Sequence, residues 1–458
     1  MESVAGFNMK DEFATLDFNS GRLEKRFVRT METLAEQPDK SIWLCSENRA
    51  EAKAIYRMLG NDGLDRKEIL RAHREATIRR MLLSGKTILA VQDTTSLNYN
   101  SQTKMDGIGY ICEQTMGVNI HTCLAVTADG LVLGVLAQSS YNRTSPRDNT
   151  RTHESKKARA LEEKESHRWV QTLKESTENL PEGVHVVTVC DREGDMYELL
   201  DEANGSGRAF LIRVFHNRKT VENHKIMDEM LKKPSSGSVR VRIPRDSRRG
   251  LKEREALLQI RHGSFEIKRP QILNKVEHLK GAQAVNVIYV REDRQDEAVE
   301  PVEWFLMTNE KVEDVESAYE KAEWYMRRWK IEQFHYVLKS GCRVEKLQER
   351  TMEKTTMLVL MYSVIATLLM NLTYIARTNP QLPCTVFFEE EEWKVLYCAA
   401  NKTKKRPEKP YAIAEAITYL GWLGGPKRAP SDGPPGVKTI WIGLDKLNAL
   451  LVYKEWLT

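Results

Sequence analysis

Three acidic residues stand where carboxylates could do chemistry. Asp93 ends the apolar run ILAVQD and Asp191 ends VVTVCD. Buried strands that run into carboxylates place them at one edge of a sheet, where ligands gather in open α/β folds. An Asp after a strand also serves turns and helix caps, so each acid alone is ambiguous and the pair is more telling. The third acid, Glu332, lies in YMRRWKIEQFHYVLK, residues 325–339, among Arg327, Arg328, Lys330 and Lys339. At about 100° per residue, Tyr325, Arg328, Glu332 and Lys339 fall within an arc of roughly 60°. Ile331, Phe334 and Leu338 form a core stripe on the far side. An acid flanked by cations stays ionised, and the same cations favour phosphate. A merely solvated face would scatter the two charge signs.

Three carboxylates without His or Cys suit a hard, oxygen-preferring cation, Mg²⁺ or Mn²⁺. Two such ions about 4 Å apart can activate a water or a 3′-hydroxyl and stabilise the leaving oxygen of a phosphodiester. Arg and Lys beside them would hold a DNA backbone.

These residues need a scaffold, and 458 residues with 41% hydrophobic and 29% charged side chains supply a soluble globular one of two or three domains. The net charge is only +5, so basic surface is local, as in 238–255 and 401–410. Seven scattered cysteines with no CxxC pair point to reduced thiols in a cytosolic protein and away from zinc or disulfides. The first residues lack a signal-peptide pattern. MLVLMYSVIATLLMNLTYIA (357–376) is about long enough to cross a bilayer, but Ser363, Thr367, Asn371 and Thr373 and the lack of a second span favour a buried core helix.

Residues 13 to about 75 read as helices with basic faces. Leu23, Phe27, Met31 and Leu34 recur at helical spacing, and a further helix near 50–59 is expected to be capped by Ser46. From 87 the pattern is strand, hairpin around Asp129-Gly130, helix, strand, helix, strand: a mixed α/β layer fold. Residues 215–300 read as an all-β insertion, EWFLMT (303–308) as a return strand, and the region after 378 as helices. The expected domains are 1–75, 76–378 and 379–458. DGIGY (106–110) is too weak for a nucleotide loop and no P-loop occurs, so no nucleotide cofactor is expected.

The spacing Tyr325-xx-Arg328-xxx-Glu332-xxxxxx-Lys339 resembles the YREK signature of bacterial cut-and-paste DDE transposases of the insertion-sequence-four group, relatives of the Tn-five transposase. AVQDTTSLNY, VCDREGD, FLIRVFHNRK, VEWFLMTNE and GRLEKRF…DKSIWLCSE agree with it. The resemblance implies a ribonuclease H-like fold with Asp93, Asp191 and Glu332 as metal-binding catalytic triad. It implies that Tyr325, Arg328 and Lys339 grip the transposon end. Trp304 would stack on a base flipped out during cleavage through a DNA hairpin, and Trp329 would line that pocket. Arg192, Arg213, His216, Arg218 and Lys219, and the N-terminal Arg22, Arg26 and Lys40, would also touch DNA.

The implied partners are double-stranded DNA and a second copy of the chain, held through 379–458, where Leu444, Leu447, Leu451 and Trp456 give the last helix an apolar face. That face equally suits burial within its own subunit. Tyr336 stands where the relative has a basic residue, and the C-terminal region is shorter than in the relative. The implied location is the bacterial cytoplasm, associated with the nucleoid and not with a membrane. Two other readings remain: a DNA-binding transposition inhibitor that does not cut, and a plain ribonuclease H-like nuclease.

Overall fold

The computed structural model describes residues 9–85, 87–146, 164–243, 254–273, 279–293, 301–427 and 434–455. The chain forms two compact units, one of residues 1–86, 94–148 and 330–458, the other of 87–93 and 149–329.

The first unit opens with helices α1 (Met9–Glu12), α2 (Gly21–Glu36), α3 (Ile42–Cys45), α4 (Arg49–Leu59) and α5 (Arg66–Ser84). In α2 the 3.6-residue period is realised: Leu23, Phe27, Met31 and Leu34 are all buried. The cap of α4 is Asn48, not Ser46. The Asn48 side chain accepts the amides of Ala50 and Glu51, each at 3.0 Å, while the Ser46 hydroxyl donates to Ile42 O at 2.6 Å and closes α3. The carboxamide has the shorter reach to those amides because it stands directly before the first turn. Strand β1 (Ile88–Asn98) follows, then β2 (Gly109–Tyr110) and the expected hairpin of β3 (Met116–Thr127) and β4 (Val132–Tyr141). The second half of β1 runs beside β3, with Tyr99 N donating to Met116 O at 2.9 Å.

The second unit adds α6 (His167–Thr177), β5 (Val186–Cys190), α7 (Tyr197–Ser206), β6 (Ala209–Arg213), α8 (Ile226–Lys232), β7 (Gly237–Ile243), β8 (Arg254–Lys268), β9 (Ala282–Glu292), β10 (Glu303–Thr308) and α9 (Val315–Arg327). Its strands lie in the order β1-β5-β6-β10-β9-β8-β7. The pairs β1–β5 and β5–β6 are parallel; β6–β10, β10–β9, β9–β8 and β8–β7 are antiparallel. The insertion is therefore a continuation of the central sheet. It also contains α8, so it is not purely β. Trp169, Leu173, Tyr197, Phe210, Val287 and Met307 fill the core between helices and sheet.

The first unit resumes with α10 (Trp329–Tyr336), whose residues from Lys330 onward belong to it, and a π-helical turn, Val337–Gly341. Then come α11 (Met352–Thr378), α12 (Glu390–Asn401), α13 (Ile413–Gly424) and α14 (Val437–Glu455). Helix α11 is the apolar stretch, and 89% of its most apolar window is buried. Each large aliphatic side chain hidden there contributes about 1.5–3 kcal/mol. Leu447 is buried in the core made with α12 and α13, and Leu444 and Leu451 pack against it, so that face serves its own subunit. Trp456 lies outside the described residues. The whole is a mixed α/β architecture with helical N- and C-terminal regions, consistent with the ribonuclease H-like class.

Candidate active site

The first strand does not stop at Asp93; it continues to Asn98, so the acid sits inside β1. Its position is set by the neighbour. β1 pairs with β5 in parallel from Ile88↔Val186 to Val91↔Val189. The same register continued by two residues brings Asp93 level with Asp191. Adjacent strands run about 4.8 Å apart and alternate residues share a face, so that register, if carried on, would send both carboxylates to one face of the sheet. Asp191 is still extended (φ −79°, ψ −163°), and its side chain accepts the Glu193 amide at 2.8 Å as β5 turns into a short 3₁₀ helix, Arg192–Gly194. Gly194 is needed there, since a Cβ would overlap the Cβ of Cys190.

Around this pair the second unit gathers several of the expected residues. Arg328 Nη1 lies 3.6 Å from Asp93 Oδ2. Tyr325, one turn earlier, is buried, and its ring is 6.0 Å from the Arg328 guanidinium. Burial pushes the Tyr325 hydroxyl up; Arg328 and Arg213 act against this, and the nearby Asp191 carboxylate adds to it. Trp304 is half-buried and meets the Tyr325 ring edge-on, with centroids 5.6 Å apart. Arg213 donates to Glu303 O at 3.4 Å, beside Trp304. Trp329 is 49% exposed. Two carboxylates, two guanidiniums and two aromatic rings thus share one edge of the sheet. Oxygen donors without thiol or imidazole fit Mg²⁺ or Mn²⁺. Among the described residues no three His, Cys, Asp or Glu side chains are grouped closely enough to hold a metal ion.

In the first unit, Glu332 lies in the first turn of α10 and is half-buried, while Ile331, Phe334 and Leu338 are fully buried, as the helical period requires. The uniform helix expected over 325–339 is not what forms. α9 ends at Arg327, α10 at Tyr336, and Lys339 sits in the π-helical turn. A π-helical turn is wider than an α-turn, so the 100° count displaces Lys339 from its true direction.

Several expected DNA contacts have other partners. Arg218 is nearly enclosed and binds Asp195, with Nε at 3.0 Å and Nη2 at 2.6 Å from Oδ1. Asp195 Oδ2 accepts the amides of Phe215 and His216, each at 2.8 Å. Arg218 is therefore a structural cation, because its guanidinium is spent on a buried acid. Sequence reasoning missed Asp195; the last acid of VCDREGD was the available signal. His216, Lys219 and Arg192 are exposed, as is Arg22, and Arg26 is half-buried. Lys40 pairs with Asp445 at 3.3 Å, an acid at the far end of the chain.

Three segments of the chain match known families. Residues 8–64 match the transposase DNA-binding family, 152–369 the transposase DDE domain and 364–455 the transposase Tn5 dimerisation domain. The chain is also similar to the piggyBac transposase in a cryo-EM structure of its synaptic complex with hairpin DNA, at 10% identity over 98% of this chain and 78% of that one, with a TM-score of 0.34. That likeness is too distant to carry an argument. The three family matches together place DNA-binding, DDE and dimerisation segments in the order found in Tn5-like DDE transposases, and the chain belongs to that family of DNA transposases.

Proposed function

We propose that this transposase cuts its element's ends at Asp93, Asp191 and Glu332 and joins the freed 3′ ends to target DNA. The parallel β1–β5 register, paired as far as Val91↔Val189 and so two residues short of each aspartate, carries the proposal. Members of the DDE family generally use divalent metals. The three carboxylates would hold Mg²⁺ or Mn²⁺, which supply a polarised nucleophile and charge on the leaving oxygen. Arg328, already beside Asp93, would exchange that partner for a phosphate as DNA enters. Tyr325 and Lys339 would hold the same strand, and Trp304 and Trp329 would stack on or line the pocket for an extruded base during a hairpin step. Residues 1–75 would read the terminal repeat, 76–378 would cut, and 379–458 would contact a second copy.

The test is cleavage of a transposon-end duplex with Mg²⁺ by Asp93→Asn, Asp191→Asn and Glu332→Gln. Each should abolish cutting while a gel shift of the end persists. Cleavage retained in any variant removes that residue from the site, and a wild type that cuts any duplex alike would be a plain nuclease.

A further inference from the structure

Within the first unit, three irregular pieces follow one another directly after the helix of Glu332. The π-helical turn Val337–Gly341 comes first, then Arg343 in the left-handed region (φ 50°, ψ 36°), then a 3₁₀ turn, Val344–Lys346. Such a run is costly for non-glycine residues and persists only where neighbours hold it. The neighbours here are the end of β1 and the turn behind it. Tyr99 is fully buried, and its hydroxyl donates to Val344 O at 2.8 Å. Asn98 N donates to Glu345 Oε1 at 2.8 Å, and Gln102 Nε2 donates to Leu347 O at 2.6 Å. Two main-chain bonds extend the seam, Asp106 N to Arg350 O at 2.9 Å and Met352 N to Asp106 O at 2.8 Å. On its other side the segment rests on α11, where Cys342 Sγ lies 3.9 Å from Tyr362 O.

We infer that Tyr99 and Glu345 are positioning residues for Glu332. They tie the end of β1 that lies in the first unit to the segment that continues from the Glu332 helix. Asn98 is five residues beyond Asp93 in the same strand, and Val344 is twelve beyond Glu332. A strand is stiff over that length, whereas a π turn followed by a left-handed residue is not self-supporting. The brace therefore sets where the far end of the Glu332 helix is anchored. This rests on the three-acid reading above. Groups bonded directly to a metal ligand are worth about 10–100-fold in metal affinity, which bounds the effect of a brace one step further out.

The experiment uses the full chain and Mn²⁺ alone, counted by the loss of the free-ion electron paramagnetic resonance signal without DNA. It is paired with end cleavage measured against Mg²⁺ concentration. Tyr99→Phe and Glu345→Ala should each raise half-saturating Mn²⁺ and Mg²⁺ about tenfold. Cleavage at saturating Mg²⁺ and end binding in a gel shift should change far less. Glu345→Gln keeps a carbonyl acceptor for Asn98 N, so it should bring the metal curve back toward wild type. If Tyr99→Phe does not fold, the Glu345 pair, at a half-buried position, carries the test. Wild-type metal curves in Glu345→Ala, or no difference between Ala and Gln, would overturn the brace while leaving the three-acid reading intact. If instead Asp93→Asn and Glu332→Gln bind Mn²⁺ as wild type does, the three-acid reading itself fails.

Discussion

Asp195→Ala should destabilise the second unit more than a change at a single surface acid could. The Asp195 side chain is wholly enclosed and Arg218 nearly so. Its two oxygens bind the Arg218 guanidinium and two backbone amides, those of Phe215 and His216. Removing the carboxylate strands a guanidinium and two amides away from water. Breaking a buried pair from one side costs about 3–5 kcal/mol, because an uncompensated charge is left behind. For a unit of this size that is a fall in melting temperature of roughly 6–20 °C. Calorimetry or circular dichroism would read it. The double variant Asp195→Ala, Arg218→Ala removes the stranded charge, so its loss should be smaller than the two single losses added together. A single variant that melts with the wild type, or a double variant whose loss equals that sum, would refute the claim that this pair is desolvated and coupled.

Two further outcomes follow from the same structure. Burial by itself pushes the Glu12 carboxyl up, but His73, at 2.5 Å, and Arg80, at 2.6 Å, outweigh it and bring it down to about 2. Because the folded value is depressed, Glu12 contributes on the order of 3 kcal/mol above its ordinary value near 4.5, lost as pH falls toward 2; the melting gap between wild type and Glu12→Gln should narrow over that window, and a constant gap would contradict the pairing. Trp304→Ala should slow hairpin formation by roughly 5–150-fold, the loss of about 1–3 kcal/mol of base stacking, while nicking continues; equal loss of both steps on a denaturing gel would make Trp304 a packing residue.

Elements with a strong internal period were legible from residues alone. The buried stripe of α2, the β3–β4 hairpin around Asp129-Gly130 and the enclosed α11 each repeat one local pattern over many residues. The first residue after β5 was legible too, since the strand does end at Cys190. β1 was not, because its alternation does not change where it passes from one neighbour to the next, and only the pairing shows that Asp93 lies inside the strand. The cap of α4 was misplaced because Ser46 and Asn48 both suit the role and the end of α3 decides between them.

The amino-acid order by itself determined the candidate chemistry: two acids on apolar strands, a third among cations at helical spacing, and oxygen donors suited to a hard metal. Tertiary structure alone decided which charges are available to a ligand. Lys40 and Asp445 are 405 positions apart and Arg218 and Asp195 are 23 apart, yet each pair meets in space. A charged side chain takes the partner that folding brings within a few ångströms, and distance along the chain does not encode that partner. The π-helical turn under Lys339 is likewise not written in the local spacing, and the chain just beyond it is tied to the end of β1 through Tyr99 and Val344.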